Sequence, residues 1–252
     1  MSPAVRITAA DKTYANGVRA LLPVDLSVSA GEFVTLLGPS GCGKSTLLNM
    51  VAGLLLPSSG SVIVADGMRT AFVFQEATLM PWARVAANVR LPLDLQGIAR
   101  AQADSRVEAA LALVGLSKFA QARPRELSGG MRMRASIARA LVTTPGLLLM
   151  DEPFGALDEI TRNRLDDELL RLRAEHKLTV LFVTHSIHEA VYLSDRVIVM
   201  AARPGRIVDE IAITPDVSRD DAYRVSTGFA SYARRLQDAL LAASVEADEA
   251  LA

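Results

Sequence analysis

The stretch Gly38-Pro39-Ser40-Gly41-Cys42-Gly43-Lys44-Ser45-Thr46 follows the apolar run Phe33 to Leu37 and opens a helix-forming segment. Those residue types at that spacing suit phosphate binding, because glycines let a loop curl until successive backbone N–H groups point inward. The N-terminus of the following helix adds partial positive charge. Lys44 reaches for the β- and γ-oxygens of a nucleotide, and Ser45 offers a hydroxyl to magnesium. A unit charge pair at about 4 Å is worth on the order of 4 kcal/mol at an effective dielectric of about 20, so removing Lys44 is expected to abolish binding or turnover.

A second constellation stands at Leu147-Leu148-Leu149-Met150-Asp151-Glu152, where an apolar strand ends in two carboxylates. Ligands bind at the carboxyl end of such strands. Asp151 there can hold magnesium through water, and Glu152 can polarise the water that attacks a terminal phosphate.

These groups need a scaffold. The chain has 252 residues, room for one to two domains with a sizeable core. Half the residues are apolar and 22% are charged, which excludes a disordered chain. A net charge of -1 gives no global field for nucleic acid or an anionic surface, so phosphate recognition has to be local. The single cysteine, Cys42, fits a reducing compartment, and the first residues carry no apolar signal-like stretch. Ser45 to Ala65 lacks charge over a membrane-spanning length, but Pro57-Ser58-Ser59-Gly60 divides it into helix, turn and strand.

Apolar runs at Phe33–Leu37, Val62–Val64, Ala71–Phe74, Leu147–Met150, Val180–Val183 and Val197–Met200 alternate with helical segments, predicting an α/β fold with a largely parallel sheet. Leu147–Met150 and Val180–Val183 are apolar at every position and are expected to be central. From Pro81 to about Pro145 the spacing turns helical, as in Val107, Leu111, Val114 and Leu116, predicting an inserted helical subdomain. Ser128 opens one of its helices, which stops at Thr143-Thr144-Pro145-Gly146. From about Asp220 a final amphipathic helix is expected, followed by fraying residues at the end.

Leu127-Ser128-Gly129-Gly130-Met131 resembles the signature of the ABC-type ATPases, and further markers of that family appear in order. Tyr14 stands where an aromatic stacks on adenine and Gln75 where the Q-loop glutamine sits. Asp158 closes the D-loop Gly155-Ala156-Leu157-Asp158, and His185 follows a strand as the switch histidine. The likeness runs from about residue 5 to about 211. It implies a P-loop NTPase core at 1–80 and 146–215 of a single domain, with an antiparallel β subdomain, a helical signature subdomain at 81–145 and a helical tail at 216–252.

The resemblance also implies a mechanism. ATP and magnesium would be sandwiched between two copies, with Ser128, Gly129 and Gly130 of one facing the γ-phosphate bound to the other. Glu152 would be the general base, with His185 and Gln75 reading the γ-phosphate, water and metal. Met131 and Met133 stand where the family often has glutamines, which removes polar contacts. The segment between Val64 and Phe72 looks shorter than usual, implying a trimmed hairpin before Gln75.

Gln75-Glu76-Ala77-Thr78-Leu79-Met80-Pro81-Trp82, with Asn88-Val89 and Arg203-Pro204-Gly205-Arg206, is similar to the nitrate, taurine and alkanesulfonate importer ATPases. That implies a motor subunit on the cytoplasmic face of a bacterial inner membrane, driving uptake of a small anion. Its partners would be a second copy, transmembrane permease subunits and, indirectly, a periplasmic or lipid-anchored solute-binding protein. Leu79 to Trp82 are candidates for the groove that meets the permease, with local packing as the other reading of Trp82. The alternative, a soluble cassette acting on nucleic acid or the ribosome, is opposed by the single cassette and the absence of a basic stripe. Arg132, Arg134 and Arg139 are expected on a solvated or interface face, and His176 and His188 as ordinary surface or helix residues. Cys42 reads as a space filler whose pKa a helix N-terminus could lower.

Overall fold

The computed structural model describes residues 3–155 and 157–249. Nine strands form two sheets among these residues. The larger takes β5 (Thr70–Val73), β6 (Leu147–Asp151), β7 (Thr179–Thr184), β3 (Phe33–Leu37), β8 (Arg196–Ala201) and β9 (Arg206–Ala212) in that spatial order. The first five run parallel and only the edge strand β9 is antiparallel. The smaller sheet is antiparallel, with β1 (Val5–Thr13) between β2 (Arg19–Val28) and β4 (Ser59–Val64).

The continuous apolar runs have a direct cause. In β6, Leu147 and Leu149 face one hydrophobic cluster while Leu148 and Met150 face the other, and β7 divides in the same way. Each strand is covered on both faces, so its period-2 alternation vanishes. One cluster packs the smaller sheet and α1 (Lys44–Val51) onto the central sheet. The opposite cluster takes α2 (Val85–Leu95), α3 (Arg100–Leu113), α4 (Gly129–Leu141), α5 (Glu159–His176) and α6 (Ile187–Leu193). Behind α6 lie α7 (Asp221–Arg224) and α8 (Thr227–Glu249), the latter burying Phe229, Leu236 and Ala243 on one face. β6 and β7 are interior strands, and Val107, Leu111, Val114 and Leu116 are buried, as the spacing predicts.

Two expectations need correction. Val62–Val64 does not join the parallel sheet but ends β4 of the antiparallel one. The segment after it is therefore no hairpin, since it carries the chain from one sheet to the edge strand of the other. β1, β2 and β9 had no counterpart among the predicted strands. β1 hides because Ala9 turns to a φ of 44° and the register slips on either side of Ala10, which destroys regular alternation. The fraying end expected of the tail reaches residues 250–252, outside the described residues, as does Ala156 of the D-loop. No helix among the described residues is long and apolar enough to cross a membrane.

Candidate active site

β3 delivers the chain into the phosphate loop and α1 leaves it. Gly43 caps α1 with a φ of 88°, a left-handed conformation that a side chain at this position would strain. Gly38 is required for a different reason, because a Cβ there would lie 2.5 Å from the Met200 carbonyl oxygen at the end of β8. Lys44 is buried and folds back across the loop, donating to the carbonyls of Gly38 at 2.7 Å and Pro39 at 2.9 Å. Ser40, Gly41, Gly43, Lys44, Ser45 and Thr46 line a 270 Å³ cavity that also reaches Gln75 and Glu152.

The acids arrive from the neighbouring strands. Asp151 ends β6 and accepts a 3.0 Å hydrogen bond from the Ser45 hydroxyl. Burial pushes its pKa up, opposed by that hydrogen bond and by Lys44, so a bound cation would favour its charged form. Glu152 follows at a φ of 46°, a left-handed backbone held by its N–H on the Val183 carbonyl. Such a conformation in a side-chain-bearing residue is a strain that the surrounding strands must hold.

Gln75 and His185 close on Glu152 from either side. They follow β5 and β7, the two neighbours of β6, so three adjacent strand ends bring them together. Their Nε2 and Nδ1 atoms lie 3.5 and 3.2 Å from Oε2 of Glu152. His185 is exposed but its flanks are fixed: Thr184 donates to buried Glu189 at 2.5 Å, and Ser186 caps α6 by accepting from the Glu189 N–H. Tyr14, just beyond the end of β1, sets its hydroxyl 3.5 Å from that of Thr46 and carries Lys12 over its ring.

Four predicted residues stand apart. Ser128 caps α4 through Met131 N–H at 3.2 Å, and neither it nor Gly129 and Gly130 lines the cavity. Ser128 and Gly129 are exposed, so this helix N-terminus is open to solvent and lies outside the cavity at the chain's own phosphate loop. Asp158 caps α5 by accepting from Thr161 N–H at 2.9 Å, which holds its carboxyl below the usual range. Met133 is buried and Met131 packs on the same cluster, so both methionines serve the core.

Of the arginines of α4, Arg132 is exposed as expected, while Arg134 and Arg139 are half-buried. Arg132 donates to the Leu127 carbonyl, Arg134 to that of Val114 and Arg139 to those of Ala77 and Thr78. Trp82 is 74% exposed, which excludes the local-packing reading. Cys42 is fully buried, as a space filler should be, and desolvation pushes its thiol pKa up despite Lys44 at 3.6 Å, so the helix N-terminus does not lower it. Glu189 escaped the sequence reading; the available signal was Ser186 followed three residues later by Glu189, the pattern that opens a helix.

Comparison with known proteins gives the family. The ABC transporter family profile matches residues 21–155. The aliphatic sulfonates import ATP-binding protein SsuB 1 of Pseudomonas syringae pv. syringae is 51% identical over 197 residues, covering 78% of this chain and 81% of that protein. An ABC transporter ATP-binding protein of Methanocaldococcus jannaschii is 47% identical over 234 residues, covering 89% of this chain and 85% of that protein. Among solved structures, a dimeric bacterial ABC transporter cassette has a TM-score of 0.78 at 33% identity, covering 84% of this chain and 99% of the other. A dimeric cassette in a post-hydrolysis state with ADP and Pi has a TM-score of 0.77 at 33% identity, again covering 84% and 99%. With its phosphate loop, paired acids and α/β architecture, the chain belongs to the ABC transporter family, as an ATP-binding and ATP-hydrolysing cassette.

Proposed function

We propose that two copies of this chain close head to tail around ATP and drive a bacterial importer for a small anion of the sulfonate, taurine or nitrate class. The observation that carries the composite site is the separation of its parts. Lys44, Ser45, Gln75 and Glu152 line one cavity, with Asp151 bonded to Ser45 and His185 to Glu152, while the exposed N-terminus of α4 at Ser128 lies outside it. A second copy brings that helix end a phosphate, with backbone N–H groups from Ser128 to Gly130 at the γ-phosphate.

Lys44 exchanges its loop carbonyls for the β- and γ-phosphate oxygens. The Ser45 hydroxyl and Asp151 carboxylate are an oxygen pair of the kind a hard divalent cation takes, so the residues present fit magnesium, which would neutralise phosphate charge. Glu152 accepts the proton of the attacking water, oriented by His185 and Gln75. Tyr14 stacks on the base. We assign residues 81–145 as the helical signature subdomain within a single cassette of core residues 1–80 and 146–215, with the tail at 216–252.

The identity with the aliphatic sulfonates import protein supports the importer reading, as does exposed Trp82 beside the Gln75 segment, a surface for a transmembrane permease. In that assembly the chain sits peripherally on the cytoplasmic face of the inner membrane. Deleting the gene and scoring growth on sulfonates, taurine and nitrate tests the reading. Loss of growth on one of these as sole sulfur or nitrogen source is expected, whereas unaffected growth on all three, with nucleic acid or ribosomes recovered in place of a permease, would overturn it.

A further inference from the structure

β1 ends at Thr13, and the chain turns tightly through Tyr14, whose N–H donates to the Val18 carbonyl and whose carbonyl accepts from Gly17 N–H, both at 2.9 Å. The backbone of Tyr14 is therefore fixed. Its side chain is 40% exposed, and the 3.5 Å between its hydroxyl and that of Thr46 is longer than an ordinary hydroxyl hydrogen bond. An exposed ring on a turn changes rotamer easily, and a ligand that needs it in one orientation bears the cost of ordering it.

Lys12 supplies that order in advance. Its ammonium lies 5.7 Å from the centroid of the Tyr14 ring, within reach of a cation–π interaction, and donates to the Leu56 carbonyl at 2.7 Å. A lysine side chain is flexible and strongly hydrated, so an ammonium committed to a carbonyl and a ring is held against that tendency. The turn that carries Leu56 is itself fastened to the end of β1. Ser58 N–H donates to the Asp11 carbonyl and Ser59 N–H to the Asp11 carboxylate, each at 2.9 Å. The Ser58 hydroxyl accepts from Thr13 N–H at 3.0 Å and donates to the Thr13 carbonyl at 3.1 Å. These bonds flank Lys12 on both sides. The same turn follows α1, the helix that begins with Lys44, so one stretch of chain joins the phosphate loop to the anchor of the ring.

We propose that Lys12 is a positioning residue for ATP binding: anchored on Leu56, it holds the Tyr14 ring by one face and leaves the other face to the adenine base. This deepens the reading of Tyr14 as the base platform and rests on it. Lys12 acts through the ring and touches no part of the nucleotide, so its contribution belongs to the base and not to the phosphates.

The test compares ATP with inorganic tripolyphosphate, which carries three phosphates without base or ribose. Calorimetry in magnesium gives both dissociation constants for the full chain, for Lys12→Met, Lys12→Arg and Tyr14→Ala, and for the variant combining Lys12→Met with Tyr14→Ala. Lys12→Met is expected to weaken ATP binding about threefold to tenfold and to raise KM to match, with tripolyphosphate affinity and kcat within about twofold. Lys12→Arg, which keeps a cation and a donor, is expected to restore ATP affinity to within about twofold. On the Tyr14→Ala background Lys12→Met is expected to add nothing, because the ring it acts through is gone. A lysine that attracts phosphate weakens both ligands equally, and one that only stabilises the turn costs the same factor with or without the ring. Either result, or unchanged ATP affinity in Lys12→Met, overturns the proposal. If Lys12→Met does not fold, Lys12→Gln, which keeps a donor for the Leu56 carbonyl and removes the cation from the ring, takes its place with the same expectation. Unchanged ATP affinity in Tyr14→Ala would sink the base-platform reading and this proposal with it, whereas a loss in Tyr14→Ala with none in Lys12→Met sinks the proposal alone.

Discussion

Nδ1 of His185 lies 3.2 Å from Oε2 of Glu152, although the two residues follow different strands and are distant in sequence. The contact exists because β6 and β7 are parallel neighbours in register from Leu147 with Thr179 to Asp151 with Val183, so their carboxyl ends stop side by side. It sets an imidazole against the carboxylate proposed here as the general base.

Replacing Glu152 by Gln keeps the shape of this pair and removes the base. Hydrolysis is expected to slow by roughly a hundredfold or more, with ATP affinity retained and a nucleotide-bound dimer accumulating. Phosphate release together with size-exclusion chromatography in ATP measures both. Turnover near that of the unaltered chain would remove Glu152 from the role.

Ser128→Arg puts bulk and charge at the exposed start of α4 while the chain's own phosphate loop stays intact. Nucleotide binding to the monomer is expected to change little, and ATP-dependent dimerisation and hydrolysis to be lost. Light scattering with and without ATP reads the first half and a phosphate assay the second. Retained hydrolysis would mean that no partner's signature is needed.

Cys42 offers a test of the loop's packing. Its thiol is fully buried and its pKa is raised by desolvation, so the reactive thiolate is scarce and shielded. Native protein is expected to resist iodoacetamide at neutral pH and urea-unfolded protein to react completely, as mass spectrometry would record. Rapid native alkylation would show that the loop opens readily.

Between α5, α6 and the tail, Asp166 is 1% exposed and its pKa is raised to about 8, chiefly by burial and then by Glu189, with Arg224 at 3.5 Å opposing. The folded chain therefore holds this proton more tightly than the unfolded chain. The resulting stabilisation is complete below the ordinary aspartate pKa and is lost as pH rises through about 8. Melting temperature is expected to fall from mildly acidic to alkaline pH, and Asp166→Asn, permanently neutral, to flatten part of that fall. An identical pH profile in the variant would show that Asp166 titrates normally.

The phosphate loop was legible because its chemistry is contiguous: glycines, Lys44 and Ser45 act within a few residues of one another, and a strand before and a helix after are enough to orient them. The buried strands and the Ser128 cap were legible for the same local reason. Gln75, Glu152 and His185 could be named from their motifs, but only the β5-β6-β7 neighbourhood brought them to one oxygen. Folding alone also sent Val62–Val64 into the second sheet and turned Arg134 and Arg139 onto carbonyls. Local spacing encodes which groups a segment can offer. Which distant segment receives them depends on sheet order and on burial, where a cation such as Arg139 must find acceptors wherever the packed chain presents them.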